Sequence, residues 1–227
     1  MNKQFMVTLG ISALLALSGC QSNKGADPRL TNNSDMEFFS KSGITACAGG
    51  AAIGALGCLV SNSSNKGACM LIAAVAGCGV GIGANAYLDN KRQNYASKEE
   101  MLNSMIADIQ KENQHLQSAS NTAKAVIADD KKAIAKIQQD MKQQRLNKEA
   151  AEKQLKGVDA NIAALRSRLA DMKKREAEWR DIATQSRQDG IKTAQLDKQI
   201  DGMKQQVASL QEELDSLYTQ RTAIKLS

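Results

Sequence analysis

The feature that most constrains this chain is an apolar pattern at heptad spacing that runs without a slip from Leu102 to Ala183. Steps of four and three residues keep one seam facing a partner, so the pattern predicts a left-handed coiled coil. As one helix, these 82 residues would extend about 120 Å. One seam series is Leu102, Ile109, Leu116, Ala123, Asp130, Ile137, Gln144, Ala151, Val158, Leu165, Met172 and Trp179. The other is Ile106, Asn113, Ser120, Ile127, Ile134, Met141, Lys148, Leu155, Ile162, Leu169, Glu176 and Ala183.

Some seam positions carry polar side chains, and polar seam residues specify register at a cost in stability. We expect the coil to be loosest there. These positions are Asn113, Ser120, Asp130, Gln144, Lys148 and Glu176.

A polar run, TQSRQDGIKT, interrupts the seam and contains Gly190, after which a second heptad series starts in a different phase. Two geometries fit this break. The chain turns at Asp189–Gly190 and folds back, which we favour, or the helix continues with a stutter and pairs between chains. The sequence therefore predicts a coiled-coil helix over 97–187 and a second one over 191–227. The second series is Leu196, Ile200, Met203, Val207, Leu210, Leu214, Leu217, Arg221 and Ile224.

Composition agrees with an all-α fold. The chain has one Pro, one Trp, three Phe and three Tyr, too few aromatic residues for a large globular core. From Ser97 onward, 23 Lys and Arg face 20 Asp and Glu, which indicates a solvated surface of mixed sign rather than a nucleic-acid stripe. One basic group could touch an anionic polymer, but we favour an ordinary coil surface. It comprises Arg166, Arg168, Lys173, Lys174, Arg175 and Arg180.

The N-terminus reads as an export signal. A positive head with Lys3 precedes about a dozen apolar residues, which is too short for a membrane span and typical of a signal peptide over 1–19. Leu17, Ser18, Gly19 and Cys20 resemble the lipobox of bacterial lipoproteins. That resemblance implies cleavage before Cys20, a diacylglycerol on its sulfur and acylation of the new N-terminus. Several acyl chains give stable anchoring. Gln21 rather than Asp after the cysteine implies outer-membrane sorting.

Residues 20–42 are polar and lack periodicity, so we expect a flexible linker. Residues 43–90 hold two apolar stretches around the turn SNSSNKG, with no charge in either stretch before Asp89. Each is long enough to cross a bilayer core. Small residues recur at every fourth position, which permits close helix packing in lipid. We therefore expect a helical hairpin packed through Gly50, Gly54, Gly77, Gly81 and Gly83.

The paired glycine-rich stretches and the closing run GVGIGANAYLDNKR resemble the glycine-zipper two-transmembrane domain, found in the rickettsial surface antigen and in outer-membrane lipoproteins. The resemblance covers roughly a fifth of the chain. It implies a structural or surface protein and does not indicate a mechanism. The Ser/Asn-rich turn and the cysteines depart from the commoner glycine-only pattern.

Cys47, Cys58, Cys69 and Cys78 lack CxxC spacing, which argues against a zinc site. In an exported hairpin folded near residue 63, Cys58 lies opposite Cys69 and Cys47 lies opposite Cys78, so either pair could be oxidised. A straight second helix cannot direct both of its cysteines at the first, because their spacing is half a turn out of phase. The alternative is four reduced thiols that act as small packing residues.

No motif indicates catalysis, a cofactor beyond the Cys20 lipid, or a metal. The glycines of GCGVGIGA follow an Ala-rich helical stretch rather than a strand, so they do not predict a dinucleotide loop. His115 is the only histidine, and we expect it on the helix surface. Trp179 occupies a seam position, so we expect it to pack rather than stack on a ligand.

The sequence thus predicts a non-enzymatic outer-membrane lipoprotein with its coil in the periplasm, serving as an anchor, spacer or scaffold. We expect membrane lipid and further copies of the chain as partners, other envelope proteins as additional candidates, and neither nucleic acid nor a small-molecule substrate. One alternative is an oligomeric channel or the collar of a secretion apparatus. Another is a cell-wall tether like the murein lipoprotein, which ends in a cross-linked Lys. Lys225, two residues short of the end, argues against the tether.

Overall fold

The computed structural model describes residues 25–41 and 83–226. All regular secondary structure in these two ranges is helical, which confirms the predicted all-α fold with long packed helices. The helices are α1 (Pro28–Thr31), α2 (Ser34–Lys41), α3 (Ala84–Asn94), α4 (Lys98–Lys142), α5 (Lys148–Gln188) and α6 (Ala194–Thr222).

The three long helices form an up-down-up bundle. Helices α4 and α5 are antiparallel, since Met105 contacts Ser186 near one end while Asp130 contacts Asn161 further along. Helix α6 runs parallel to α4, and Lys124 Nζ donates to Ser209 Oγ between them. The longest helix, α4, has 45 residues, so the bundle is about 67 Å long.

The prediction of one continuous helix over 97–187 is wrong, because the chain reverses between α4 and α5. Gln144 has φ 53°, its N–H donates to Met141 O, and the N–H of Arg145 donates to Asp140 O. These two bonds form a Schellman motif, in which the residue after the C-cap is left-handed. Glycine usually fills that position, and its absence from QQRLN hid the turn. Of two successive polar seam positions, Gln144 lies in the turn and Lys148 follows it as the first residue of α5.

The second reversal lies where the seam breaks. Gly190 has φ 75°, its N–H donates to Arg187 O, and the N–H of Ile191 donates to Ser186 O. This is the same Schellman arrangement, here with the residue that tolerates it best. Of the two geometries left open at Asp189–Gly190, the chain adopts the fold-back. It also folds back once more than expected, at 143–147.

Heptad spacing located the buried face correctly, but the partner is the chain itself. Apart from Gln144 and Lys148 at the turn, each seam position between Leu102 and Ala183 is buried or half-buried. The polar ones have partners: Asn113 Nδ2 donates to Gln199 O, and Asn161 Nδ2 donates to the carboxylate of Asp130. The seam that was expected to bind another coil therefore closes an intramolecular core.

The expected flexible linker over 20–42 is wrong for its described part. Asp27 caps α1, with Pro28 as its first residue, and Asn33 Oδ1 accepts from the N–H groups of Asp35 and Met36 at the start of α2. These caps favour short helices. Leu30, Met36 and Phe39 are buried against the bundle, chiefly against α4 and α5.

The expected hairpin boundary at residue 90 is also displaced. Helix α3 (Ala84–Asn94) buries Tyr87 and Leu88 in the bundle core, so residues 84–94 belong to the bundle. Together α1, α2 and α3 form a broken fourth element in the groove between α4 and α5. The chain of this element runs parallel to α5, from the level of Asn161 to the level of Asp189.

Candidate functional site

The candidate site is the junction at which the apolar segment 43–82 joins the bundle. Helix α2 ends and α3 begins against the same stretch of α4. Phe38 stacks on His115, and Tyr87 bonds to Asp108, two positions seven residues apart. That spacing corresponds to about 10 Å along the helix. The end of α2 and the start of α3 therefore lie near each other on the bundle.

The α2 side of the junction is held by a carboxylate. Asp35 Oδ1 lies 2.7 Å from His115 Nδ1, and Ser118 Oγ donates to Asp35 Oδ2. The Ser118 hydroxyl, followed by His115, lowers the pKa of Asp35. The Phe38 ring is nearly parallel to the imidazole, with 4.4 Å between ring centroids. His115 was expected to be a surface residue, but it docks α2 instead.

The α3 side is held by an aromatic residue. The ring of Tyr87 packs edge-on against Trp179 at 5.6 Å, and its hydroxyl donates to Asp108 Oδ2 at 2.6 Å. Lys91 Nζ lies 2.6 Å from the same carboxylate oxygen. Burial, followed by the neighbouring Asp108, raises the pKa of Tyr87. Tyr87 is therefore a neutral donor in the folded protein.

Beneath these contacts lies a buried ionic group. Trp179 Nε1 donates to Glu112 Oε2 at 2.9 Å, and Arg175 Nε lies 3.3 Å from the same oxygen. Arg175 Nη1 also donates to Glu178 Oε2. Glu112 and Arg175 are 4% and 2% exposed, so this charge pair is fully desolvated. Burial raises the pKa of Glu112, and Arg175 partly opposes that shift.

The junction has hydrolase residue types without hydrolase geometry. Ser118 and His115 both bond to Asp35. In a Ser-His-Asp triad the histidine bonds directly to the serine hydroxyl, whereas here His115 and Ser118 meet only through Asp35. Within 25–41 and 83–226, no group of three or more His, Cys, Asp or Glu side chains could hold a metal ion. The contacts of the junction are those that fix one segment of chain to another.

Of the five glycines predicted to pack the hairpin, only Gly83 falls in the described ranges. Gly83 precedes α3 as its N-cap with φ 92°, a backbone conformation that favours glycine. Its predicted packing against the rest of the hairpin stays a prediction, because that partner lies outside the described residues. The signal peptide, Cys20, Gly50, Gly54, Gly77, Gly81, Cys47, Cys58, Cys69 and Cys78 lie outside the described residues.

Sequence reasoning missed most of the junction because it followed two seam series. A third series, Met105, Glu112, Ala119 and Val126, is also buried. Met105 contacts Ser186 and Glu112 accepts from Trp179, so this series faces α5. Its heptad spacing is visible in the sequence, but the charged Glu112 is typical of an exposed position. Trp179 is fully buried, as its seam position indicated.

The basic group on α5 does not form one patch. Arg175 is buried, Arg166 lies 4.2 Å above the Tyr218 ring, and Arg180 pairs with Glu176 at 3.0 Å. Lys173 donates to Gln211 in an open groove between α5 and α6 that Glu176 and Glu212 also line. The groove therefore has mixed charge.

Comparisons with protein families, with curated proteins and with solved structures found no match. In the part of the chain that the structure describes, no helix is both long and apolar enough to cross a membrane.

Proposed function

We propose that this chain is a non-enzymatic structural lipoprotein of the bacterial outer membrane. In this proposal Cys20 carries the lipid, and a folded-back helical bundle in the periplasm serves as the platform for the apolar segment 43–82. The bundle acts as a scaffold or spacer, and the apolar segment provides contact with membrane and with further copies of the chain.

The observation that carries the proposal is the junction itself. Asp35 and Phe38 of α2 contact His115, and Tyr87 of α3 bonds to Asp108, so the chain on both sides of the apolar segment is held to one stretch of α4. Helices fixed in this way would transmit force between the segment and the bundle. That is a mechanical role. It fits a scaffold whose apolar segment lies in lipid while its polar bundle lies in water.

Because the seam residues are buried within one chain, they are not available to hold copies of the chain together. The seam residues of α4–α6 are buried within one chain, so they do not form an intermolecular stalk in this fold. Any homo-oligomer must then depend on segment 43–82 or on the bundle surface. In mild detergent, light scattering on the full-length protein separates the candidates. A small assembly supports the scaffold, whereas a large ring supports the channel or collar.

The lipid anchor is tested by growing cells with radiolabelled palmitate and isolating the protein. We expect label on the unaltered chain and none on Cys20→Ser. Cys78→Ser is the matched control, because it removes another cysteine of the same chain and should keep the label. An unlabelled native chain, recovered without membrane, would contradict the proposal.

A further inference from the structure

The position of the N-terminal segment on the bundle limits how the molecule can meet a membrane. Gly25 lies beside Ala160, and the N–H of Asp27 donates to Asn161 Oδ1 at 2.7 Å. Arg29 Nη2 donates to Asp129 on α4. The first described residues are therefore fixed to the side of the bundle. Residue 160 is twelve residues from the start of α5 and 28 from its end, or about 18 and 42 Å.

The reach from this point to the lipid is short. Gly25 is five residue steps from Cys20, and a fully extended chain spans at most about 3.6 Å per residue, or roughly 18 Å. If Cys20 is acylated, Ala160 must lie within about that distance of the membrane surface. A bundle that stands on its α5–α6 end cannot meet this limit.

The apolar segment gives a second limit. It joins the bundle at the level of His115 and Trp179. Trp179 is 31 residues from the start of α5, which places the junction about 46 Å above the α4–α5 turn. Only Ser42 and Gly43 separate Lys41 from the first apolar residue, Ile44. A bundle that stands on the α4–α5 turn therefore cannot place the apolar segment at the membrane.

Both limits are met in one orientation. The two attachment points lie about 28 Å apart along α5, from Ala160 to Trp179, and both lie in the groove between α4 and α5. Helix α6 contacts α4 and α5 and covers the other side of the bundle. We propose that the bundle lies along the membrane, with its α1–α2–α3 face against the lipid surface and α6 facing away. This inference rests on the proposed function, because it assumes lipid at Cys20 and at segment 43–82.

The orientation is testable by energy transfer from the bundle to acceptor-labelled headgroups in phosphatidylethanolamine–phosphatidylglycerol vesicles. The full-length lipidated protein, with Cys47, Cys58, Cys69 and Cys78 replaced by Ala, carries a single donor. Arg145→Cys and Lys192→Cys mark the two ends of the bundle. Lys132→Cys and Glu212→Cys mark α4 beside α1 and the exposed surface of α6. All four positions are solvent-exposed.

We expect equal transfer from the two ends and stronger transfer from position 132 than from position 212. Loss of transfer at one end alone would overturn the lying orientation while leaving the lipoprotein proposal intact. Stronger transfer from position 212 would overturn the assigned face. Flotation with the vesicles is measured first. Protein that does not float would overturn the proposed function, and with it the orientation.

Discussion

Gly190 and Gln144 occupy the same position in two successive Schellman turns, but only one of them is a glycine. A left-handed backbone costs a residue with a Cβ about 1–2 kcal/mol. The α4–α5 turn therefore keeps its geometry through surrounding contacts, which include Asn147 capping α5 and Arg145 paired with Asp140.

Replacing Gly190 by Ala should lower the free energy of unfolding by about 1–2 kcal/mol, since Ala at φ 75° is strained. Gly202→Ala is the matched control. Gly202 lies inside α6 with nothing within 4 Å of a Cβ, so this change should raise stability by about 0.5–1 kcal/mol. Urea unfolding measures both. A Gly190→Ala protein as stable as the native chain would contradict the structure of this turn.

Glu112 should give stability a characteristic pH dependence. Burial raises its pKa, so the folded state holds the proton more tightly than the unfolded state does. The contribution to stability is greatest below the ordinary glutamate pKa and falls as the pH rises above it. Glu112→Gln removes this titration. As the pH rises above the ordinary glutamate pKa, the native chain should lose stability relative to the variant in urea unfolding.

The control for this measurement is Glu213→Gln. Glu213 is partly exposed and pairs with Lys131, which lowers its pKa, so its stabilisation is present above the ordinary pKa and is lost on acidification. Relative to this variant, the native chain should gain stability as the pH rises through the acid range. Parallel pH profiles for the native chain and Glu112→Gln would show that Glu112 does not titrate as its burial requires.

At the scale of elements, α1 and α2 are too short to be stable alone, so they depend on docking. Asp27, Pro28 and Asn33 provide caps that the sequence already displayed. Whether such a capped segment becomes ordered depends on a groove into which it can bury Leu30, Met36 and Phe39. Residues 98–188 build that groove, far along the chain.

Truncation of Met36 tests this dependence. Met36 is fully buried, and Met36→Ala should weaken docking by about 2–5 kcal/mol, the usual cost of such a core truncation. Hydrogen exchange should show lost protection in 34–41, while α4, α5 and α6 keep theirs. The control Ser34→Ala changes an exposed residue of the same helix and should leave protection unchanged. Protection lost equally across α4–α6 would mean that α2 is not a separate docking unit.

At the scale of the whole molecule, the decisive feature is the number of reversals. A continuous rod would place Gln110 and Asp181 about 106 Å apart, since 71 residues separate them. In the bundle they lie on neighbouring helices, close to the Glu112–Trp179 contact. Spin labels are attached at Gln110→Cys and Asp181→Cys in a chain whose Cys47, Cys58, Cys69 and Cys78 are replaced by Ala. Pulsed electron paramagnetic resonance should then give a short distance between the two labels. A distance near the rod value would disprove the α4–α5 turn.

Diluting the spin-labelled protein with unlabelled protein shows whether a short distance joins two labels in one chain or labels on two chains. Spins within one chain keep their separation when unlabelled chains are in excess, whereas spins on two chains lose it. We expect the short distance to survive dilution, because Ser186–Met105 and Asn161–Asp130 contacts are made within one chain.

The sequence by itself determined the helical class, the identity of nearly all seam residues and the break at Gly190, because heptad periodicity and its interruption are local signals. It favoured a fold-back at Gly190, but a stutter also fitted the pattern. It did not determine the partner of the seam. Antiparallel pairing within a chain and pairing between chains bury the same stripe of side chains. Only the tertiary structure decided between them, through a turn at Gln144 that has no glycine or proline signal.

The contacts of the junction could not be predicted from local sequence patterns, because they too join residues far apart in the chain. Glu112 and Arg175 have the charged side chains of an exposed face, and such groups become buried only when partners from other helices surround them. Short capped helices likewise become ordered only when a distant groove receives their apolar residues. Local periodicity thus determined which residues turn inward, while long-range packing decided what they contact.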